Sequence, residues 1–283
     1  MVFAVIARPT VAAVAAAAVN SPVKNNIMLN HVQLEDILFL DIETVPQYPD
    51  FHQLDEITRE LWELKAVSMC KDGQTPADVY GRAGIYAEFG KIICISVGFI
   101  HQQPGNQPAF RLKSCFSDYE PALLREFSEI LTRFGQQHNM LLCAHNGKEF
   151  DFPYIARRML VNGITLPAVL DIAGKKPWEV SFLDTMELWR FGDYKSYTSL
   201  KVLTHIFGIP SPKDDIDGSQ VAGVYWQEKD LPRIVRYCEK DVLAIAQLLL
   251  RYKGINPILP ENVSSATQIS SIPTSLKTSS PLP

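Results

Sequence analysis

Two apolar segments of this chain carry acids in positions that an ordinary core would exclude. The first, Ile37-Leu38-Phe39-Leu40-Asp41-Ile42-Glu43-Thr44-Val45, is a continuous hydrophobic run interrupted by two carboxylates two residues apart. A strand has a period of two, so both side chains leave the same face. The second is the last strongly helical stretch, where Ile234, Cys238, Asp241, Ile245 and Leu248 form one stripe with an acid inside it. Burying an unpaired ion costs several kcal/mol, on the order of the effective penalty measured in proteins. Something of opposite charge must offset that cost, and a divalent cation is the natural candidate.

The rest of the chain bounds the setting. Its 283 residues are 47% hydrophobic and 20% charged, enough for one large or two small domains with a real core. A net charge of -4 argues against coating by nucleic acid, yet leaves room for a local basic rim around an acidic cleft. The cysteines Cys70, Cys94, Cys115, Cys143 and Cys238 form no C-x-x-C pair and fall mostly in apolar runs, which fits reduced thiols in a cytoplasmic protein rather than zinc or disulfides.

Residues 1 to 33 read as a leader, either disordered or a mis-assigned start with Met28 as the alternative to Met1. The Ala/Val run 11 to 19 is too short to span a membrane and lacks the charged-then-apolar order of an export signal. Residues 255 to 283, rich in Ser, Pro and Thr, read as a disordered tail. Between them, the folded body is expected over 34 to 254.

In that body, strands are expected at 36 to 45, 91 to 100, 109 to 116, 140 to 144 and 181 to 184. Leu54, Ile57, Leu61, Leu64 and Ala66 suggest a short helix. Ser117 with Glu120 reads as a capping box opening a helix whose apolar face runs from Leu123 to Phe134 and which Gly135 ends. Further helices are expected at 153 to 161, 200 to 207 and from Asp230 to Tyr252, with Pro232 in the first turn of the last. Three strands followed by alternating helices and strands indicate an α/β fold with a mixed sheet.

Asp41, Glu43, Asp151 and Asp241 are then weighed as one set. Phosphodiesters repel nucleophiles, and two Mg²⁺ or Mn²⁺ ions relieve that repulsion if several acids from different elements converge on them. Tyr237 precedes Asp241 by four residues, so the two share a helix face.

L-D-I-E-T at 40 to 44, N-G-K-E-F-D-F-P-Y at 146 to 154 and Y-C-E-K-D at 237 to 241 resemble, in order, the three exonuclease motifs of the DEDD superfamily. The Tyr four before the last Asp resembles its tyrosine branch (DEDDy), and the middle motif is similar to the proofreading exonuclease domain of family B DNA polymerases. The resemblance implies a ribonuclease H-like fold with a five-stranded mixed sheet, and two-metal removal of nucleotides from 3′ ends. It implies that Asp41, Glu43 and Asp241 hold a first cation, that Asp41 bridges to a second with Asp151 assisting through water, and that Tyr237 with Glu43 orients the attacking water. Thr44 would contact the terminal nucleotide, and Asn146 and Phe150 would line its pocket. Residues 47 to 90 stand out as an insertion where many relatives have a short hairpin.

Taken singly, each motif has a bland reading: Asp151 as a helix cap and Tyr237 and Asp241 as a surface pair, while Asp184 reads either as a residue supporting the ligands from behind or as a strand-end acid. Arg157-Arg158, Lys175-Lys176 and the Arg190 to Lys201 stretch with Tyr194 and Tyr197 read first as solvated faces, and second as backbone contacts and stacking surfaces for a single strand. The expected partner is a single-stranded 3′ end, DNA ahead of RNA, with no membrane and with a replication or repair partner undefined. The rivals are an RNA 3′-end exonuclease and a non-catalytic nucleic-acid-binding protein on the same fold.

Overall fold

The structure is a computed structural model that describes residues 29–103, 107–210 and 215–269. The leader residues 1 to 28, with the Ala/Val run, and the end of the tail lie outside the described residues. Among those described, no helix is long and apolar enough to cross a membrane.

The elements in chain order are β1 (Ile37–Pro46), α1 (Glu56–Ala66), β2 (Gly90–Gln103), β3 (Gln107–Phe116), α2 (Glu120–Gln137), β4 (Leu141–Ala144), α3 (Asp151–Val161), β5 (Phe182–Asp184), α4 (Thr185–Arg190), α5 (Leu200–Ile206), α6 (Val221–Gly223, continuing as a π-helical turn Val224–Glu228), α7 (Leu231–Tyr252) and β6 (Val263–Ser265). The sheet order is β5-β4-β1-β2-β3-β6. β2 is antiparallel to β1 and β3, whereas β4 runs parallel to β1 and β5 parallel to β4. The order of the first five strands, with β2 alone reversed, is that of the ribonuclease H-like fold.

β1 is buried on both faces, and its alternation decides which side each residue serves. Leu38, Leu40 and Ile42 pack with Leu123, Leu124 and Phe127 of α2 and Phe152, Ile155 and Met159 of α3. Ile37 and Phe39 pack on the other side with Val242, Ile245 and Leu249 of α7, and Val45 meets Ile234, Tyr237 and Cys238 further along that helix. Asp41 and Glu43 stand in phase with Ile37, Phe39 and Val45, so period-two geometry turns them toward α7.

Several expectations are corrected. The sheet has six strands: Val263–Ser265, inside the expected disordered tail, pairs parallel with β3. Glu239 explains why a Ser/Thr-rich segment settles there, since it accepts hydrogen bonds from Ser114 (3.0 Å), Ser265 (2.9 Å) and the Thr267 hydroxyl. The segment covers what would otherwise be an open strand edge. The capping box at Ser117 and Glu120 does not form. Ser117 Oγ instead accepts from the Tyr119 amide, and the Glu120 carboxylate turns inward. There it accepts from the Ile92 amide, from Arg158 Nε and Nη2 at 2.9 and 2.5 Å, and from Asn162. Arg158 is therefore a buried ion-pair partner and not part of a solvated face. In α1 the helix forms as expected, but Ile57, Leu61 and Leu64 are exposed while Trp62 and Ala66 face inward.

The segment between β1 and β2 builds a small core of its own from Phe51, Leu54, Trp62, Ala66, Val79, Tyr80 and Ala83. It is tied to α3 through Tyr154, whose hydroxyl donates to the Gly84 carbonyl at 2.8 Å, and through Arg158, which donates to the Ala87 carbonyl at 2.8 Å.

Candidate active site

The site lies where β1 outruns its neighbour. β1 pairs with β4 only through Ile37, Leu38 and Phe39, because β4 ends at Ala144. Beyond that point the β1 edge is free for other partners. The Ile42 amide on this edge donates to Asp151 Oδ1 at 3.2 Å, from the first turn of α3. Asp151 is thus held against the backbone between Asp41 and Glu43 and does not serve as a simple cap. On the β2 side the register slips between Glu43 and Thr44. A bulge here bends the strand just after its acids, a device common beside active sites.

From the opposite layer, α7 brings Tyr237, Cys238 and Asp241, all buried. Cys238 Sγ lies 3.4 Å from both the backbone carbonyl and Oδ2 of Asp41, and donates to them. Ligating atoms of Asp41, Glu43 and Cys238 all fall within 4.8 Å of one another. The five residues singled out for chemistry therefore converge: Asp41 and Glu43 from β1, Asp151 from α3, and Tyr237 and Asp241 from α7.

Electrostatics shows what this convergence costs. Burial raises the Asp41 carboxyl well above its ordinary range, and the charges of Asp241, Glu43 and Asp151 raise it further. Asp151 is pushed up to about 7, chiefly by desolvation and then by Asp184 and Asp241, against the pull of backbone amides including that of Ile42. Desolvation also holds the Tyr237 phenol protonated, reinforced by Asp241, Glu43 and Asp41. The Cys238 thiol is likewise raised, first by burial. Mutually repelling carboxylates in a dry setting want either protons or cations. Four oxygen acids suit a hard divalent ion, and a protonated thiol beside them is a hydrogen-bond donor before it is a ligand.

The three residues expected to touch the nucleotide flank this centre. Thr44 follows the acids on β1 and interacts with the Tyr154 hydroxyl. Phe150 is partly buried, with its ring 5.3 Å from that of Tyr154. Asn146 adopts φ 65°, a left-handed conformation that Asn tolerates, and its Oδ1 is buried without a hydrogen-bond partner. At the next position a Cβ would lie 2.4 Å from Ala144 Cβ, which is why Gly147 follows.

Sequence reasoning left one supporting residue undecided. Asp184, at the end of β5, caps α4 by accepting from the Met186 and Glu187 amides, and accepts from the Asn146 and Lys148 amides at 2.9 and 3.1 Å. It fixes the turn that carries Asn146 and is more than a strand-end acid. The signal was available: a buried strand ending in Asp just before a helix-forming stretch.

Residues 85–280 match the model of a family described as a predicted 3′-5′ exonuclease related to the exonuclease domain of PolB. The chain belongs to that family. The match includes the middle and last motifs and begins after β1, so it is the fold that joins Asp41 and Glu43 to the matched part. No curated protein matches. Among solved structures, the family B DNA polymerase from the hyperthermophilic archaeon Pyrobaculum calidifontis is similar at 16% identity, over 76% of this chain and 24% of that chain, with a TM-score of 0.43. A likeness of that size adds nothing to the topology described above.

Proposed function

We infer that the protein is a metal-dependent exonuclease that removes nucleoside monophosphates from the 3′ ends of single-stranded DNA. The observation that carries this reading is the convergence of Asp41, Glu43, Asp151, Asp241 and Tyr237 from three elements at the free edge of β1. Membership of an exonuclease family supports the direction of attack.

Asp41, Glu43 and Asp241 would hold one divalent cation, Mg²⁺ or Mn²⁺, and Asp41 with Asp151 a second. Such ions, when bound, activate water and stabilise the leaving oxygen of an in-line displacement. The chain's own groups do the rest. Glu43 accepts a hydrogen bond from the attacking water, and the Tyr237 hydroxyl, kept protonated by its surroundings, fixes that water's second direction. Attack on phosphorus breaks the bond to the 3′ oxygen of the penultimate nucleotide. The attacking water gives up a proton to solvent, the leaving oxygen takes one from solvent to become a new 3′ hydroxyl, and the terminal nucleotide departs with its 5′ phosphate. Thr44, Asn146 and Phe150 would seat the terminal nucleotide, the unpartnered Asn146 Oδ1 offering an acceptor.

The test is incubation of the full chain with 5′-labelled single-stranded DNA and RNA of one sequence, with Mg²⁺, Mn²⁺ or EDTA, beside Asp41→Ala. A metal-dependent ladder shortening from the 3′ end of DNA, absent in the variant, is the expected result. A ladder on RNA alone would reassign the substrate, and none on either strand would refute the activity.

A further inference from the structure

We propose that Phe191, Tyr194 and Tyr197 form a stacking platform beside the active site for the unpaired bases that trail the 3′ terminus of a single-stranded nucleic acid. The inference rests on the exonuclease reading for its choice of ligand. Three large aromatic side chains within seven residues are left in solvent, with relative exposures of 78%, 82% and 66%. Scattered apolar residues on a surface need no account, but aromatics grouped on one short loop mark a binding surface. The same stretch carries the exposed Lys195 and Lys201 against the single acid Asp193, in a chain of net charge -4, while Arg190 is turned inward. Exposed rings among basic side chains are the combination that holds single strands without regard to sequence, because every base has a stackable face and every linkage a charge.

The loop is fixed in shape. Phe191 sits in the left-handed region at φ 45°, strained for a bulky side chain, followed by Gly192 at φ 90°. Arg190 braces the turn from within, donating through Nε to the Ser196 carbonyl at 3.0 Å. The Asp193 amide bonds the Arg190 carbonyl at 2.8 Å, and the Lys195 amide bonds Asp193 Oδ1 at 3.1 Å. The rings are thus presented on a preset backbone, which lowers the ordering cost of binding.

The loop is also tied to the motif expected to line the nucleotide pocket. His145 Nε2 lies 3.0 Å from the Thr198 carbonyl, and His145 Nδ1 lies 2.9 Å from Thr185 Oγ1. Arg190 reaches Glu149 at 3.4 Å, and Lys148 pairs with Glu187. Residues on both sides of Asn146 therefore anchor the segments on both sides of the three rings. A strand whose last nucleotide occupies the Asn146 pocket has its preceding bases beside this loop.

The test separates binding from cleavage. In EDTA, anisotropy of a labelled ten-nucleotide single strand and of a trinucleotide gives the affinity gained with length. That gain should fall about tenfold or more in Tyr194→Ala/Tyr197→Ala, by the usual size of base stacking, and survive in Tyr194→Phe/Tyr197→Phe, which keeps both rings. Should the alanine variant fail to fold, photocrosslinking of a 5-iodouracil strand to the wild-type chain should mark the peptide 191–201. An alanine variant with the full length advantage, or crosslinks confined to other peptides, overturns the platform even if the wild type degrades DNA. A lost length advantage without metal-dependent shortening by the wild type upholds the platform and removes the exonuclease reading. A wild type that binds neither oligonucleotide removes both.

Discussion

At the scale of single residues, the site balances repulsion against position. Asp41 is partly buried beside three other acids and is held in place by Cys238, whose thiol donates to it. Replacing it by Asn keeps the shape and removes a charge, so turnover of a single-stranded oligonucleotide should fall by more than about a thousandfold, beyond the 10–100-fold typical of losing a partner behind a ligand. The metal-free variant should melt no lower than the wild type, because one buried repulsion is gone. A variant inactive only because it unfolds would contradict the role. Tyr237 makes a finer claim. Its hydroxyl stays protonated among acids, so it can orient water but is poorly placed to act as a base. Tyr237→Phe should lower kcat about 10- to 100-fold while Mn²⁺ affinity, followed by calorimetry, stays as in the wild type. An unchanged kcat would dismiss the hydroxyl, and lost metal affinity would mean that it serves the ions.

At the scale of elements, the parts of the site that were legible in the sequence are those where one physical signal dominates. The acids of β1 and α7 stood out because regular periods placed charge where only apolar groups belong, and the structure turns both elements toward each other. Where a residue had two uses, the local reading failed. Glu120 has the spacing of a helix cap, yet a tertiary partner claims it, since Arg158 and the Ile92 amide offer stronger bonds inside than a frayed helix end offers outside. The β6 pairing had little hydrophobic signal, Val263 alone of its three residues packing on the core; Glu239, outside the strand, holds the rest. The apolar residues of α1 gave a correct helix, but Ile57, Leu61 and Leu64 stay in solvent, because Trp62 takes the inner face by its size and by its bond to the Pro76 carbonyl. The Glu120–Arg158 pair joins α2, α3, β2 and the segment before it, and both side chains are almost fully buried. Glu120→Ala should therefore cost about 3–5 kcal/mol, the usual result of stranding one buried partner, read as a fall in Tm on the order of 10 °C. Adding Arg158→Met should recover part of that loss, because the stranded guanidinium goes with it. A Glu120→Ala variant melting within a degree or two of wild type would show that water reaches the pair.

At the scale of the whole molecule, the acids sit where its layers meet: beside the apolar contacts between β1 and α7, the carboxylates of β1, α3 and α7 face one another and repel. The metal-free protein therefore carries a pH dependence of definite sign. Asp151 titrates near 7 in the fold and at the ordinary carboxyl value when unfolded, and Asp41 is raised as well. For a raised acid the folded state binds the proton more tightly, so the associated stability is complete below about pH 4 and is lost as pH rises through 7. In EDTA, the contribution of these two acids should make the wild type melt lower at pH 8 than at pH 6, and Asp151→Asn should flatten that slope. Divalent cations reverse the demand. They bind carboxylates and not carboxylic acids, so protons compete with them below pH 7. The rise in Tm on adding Mn²⁺ should be small at pH 5.5 and grow toward pH 8, following the linkage between ligand occupancy and stability. The two slopes must share an origin, since both count the same protons. A Mn²⁺ shift that is flat with pH, or one that persists in the Asp41→Asn/Asp241→Asn double variant, would place the bound ion elsewhere on the molecule and leave the buried acids without the counter-charge that their position requires.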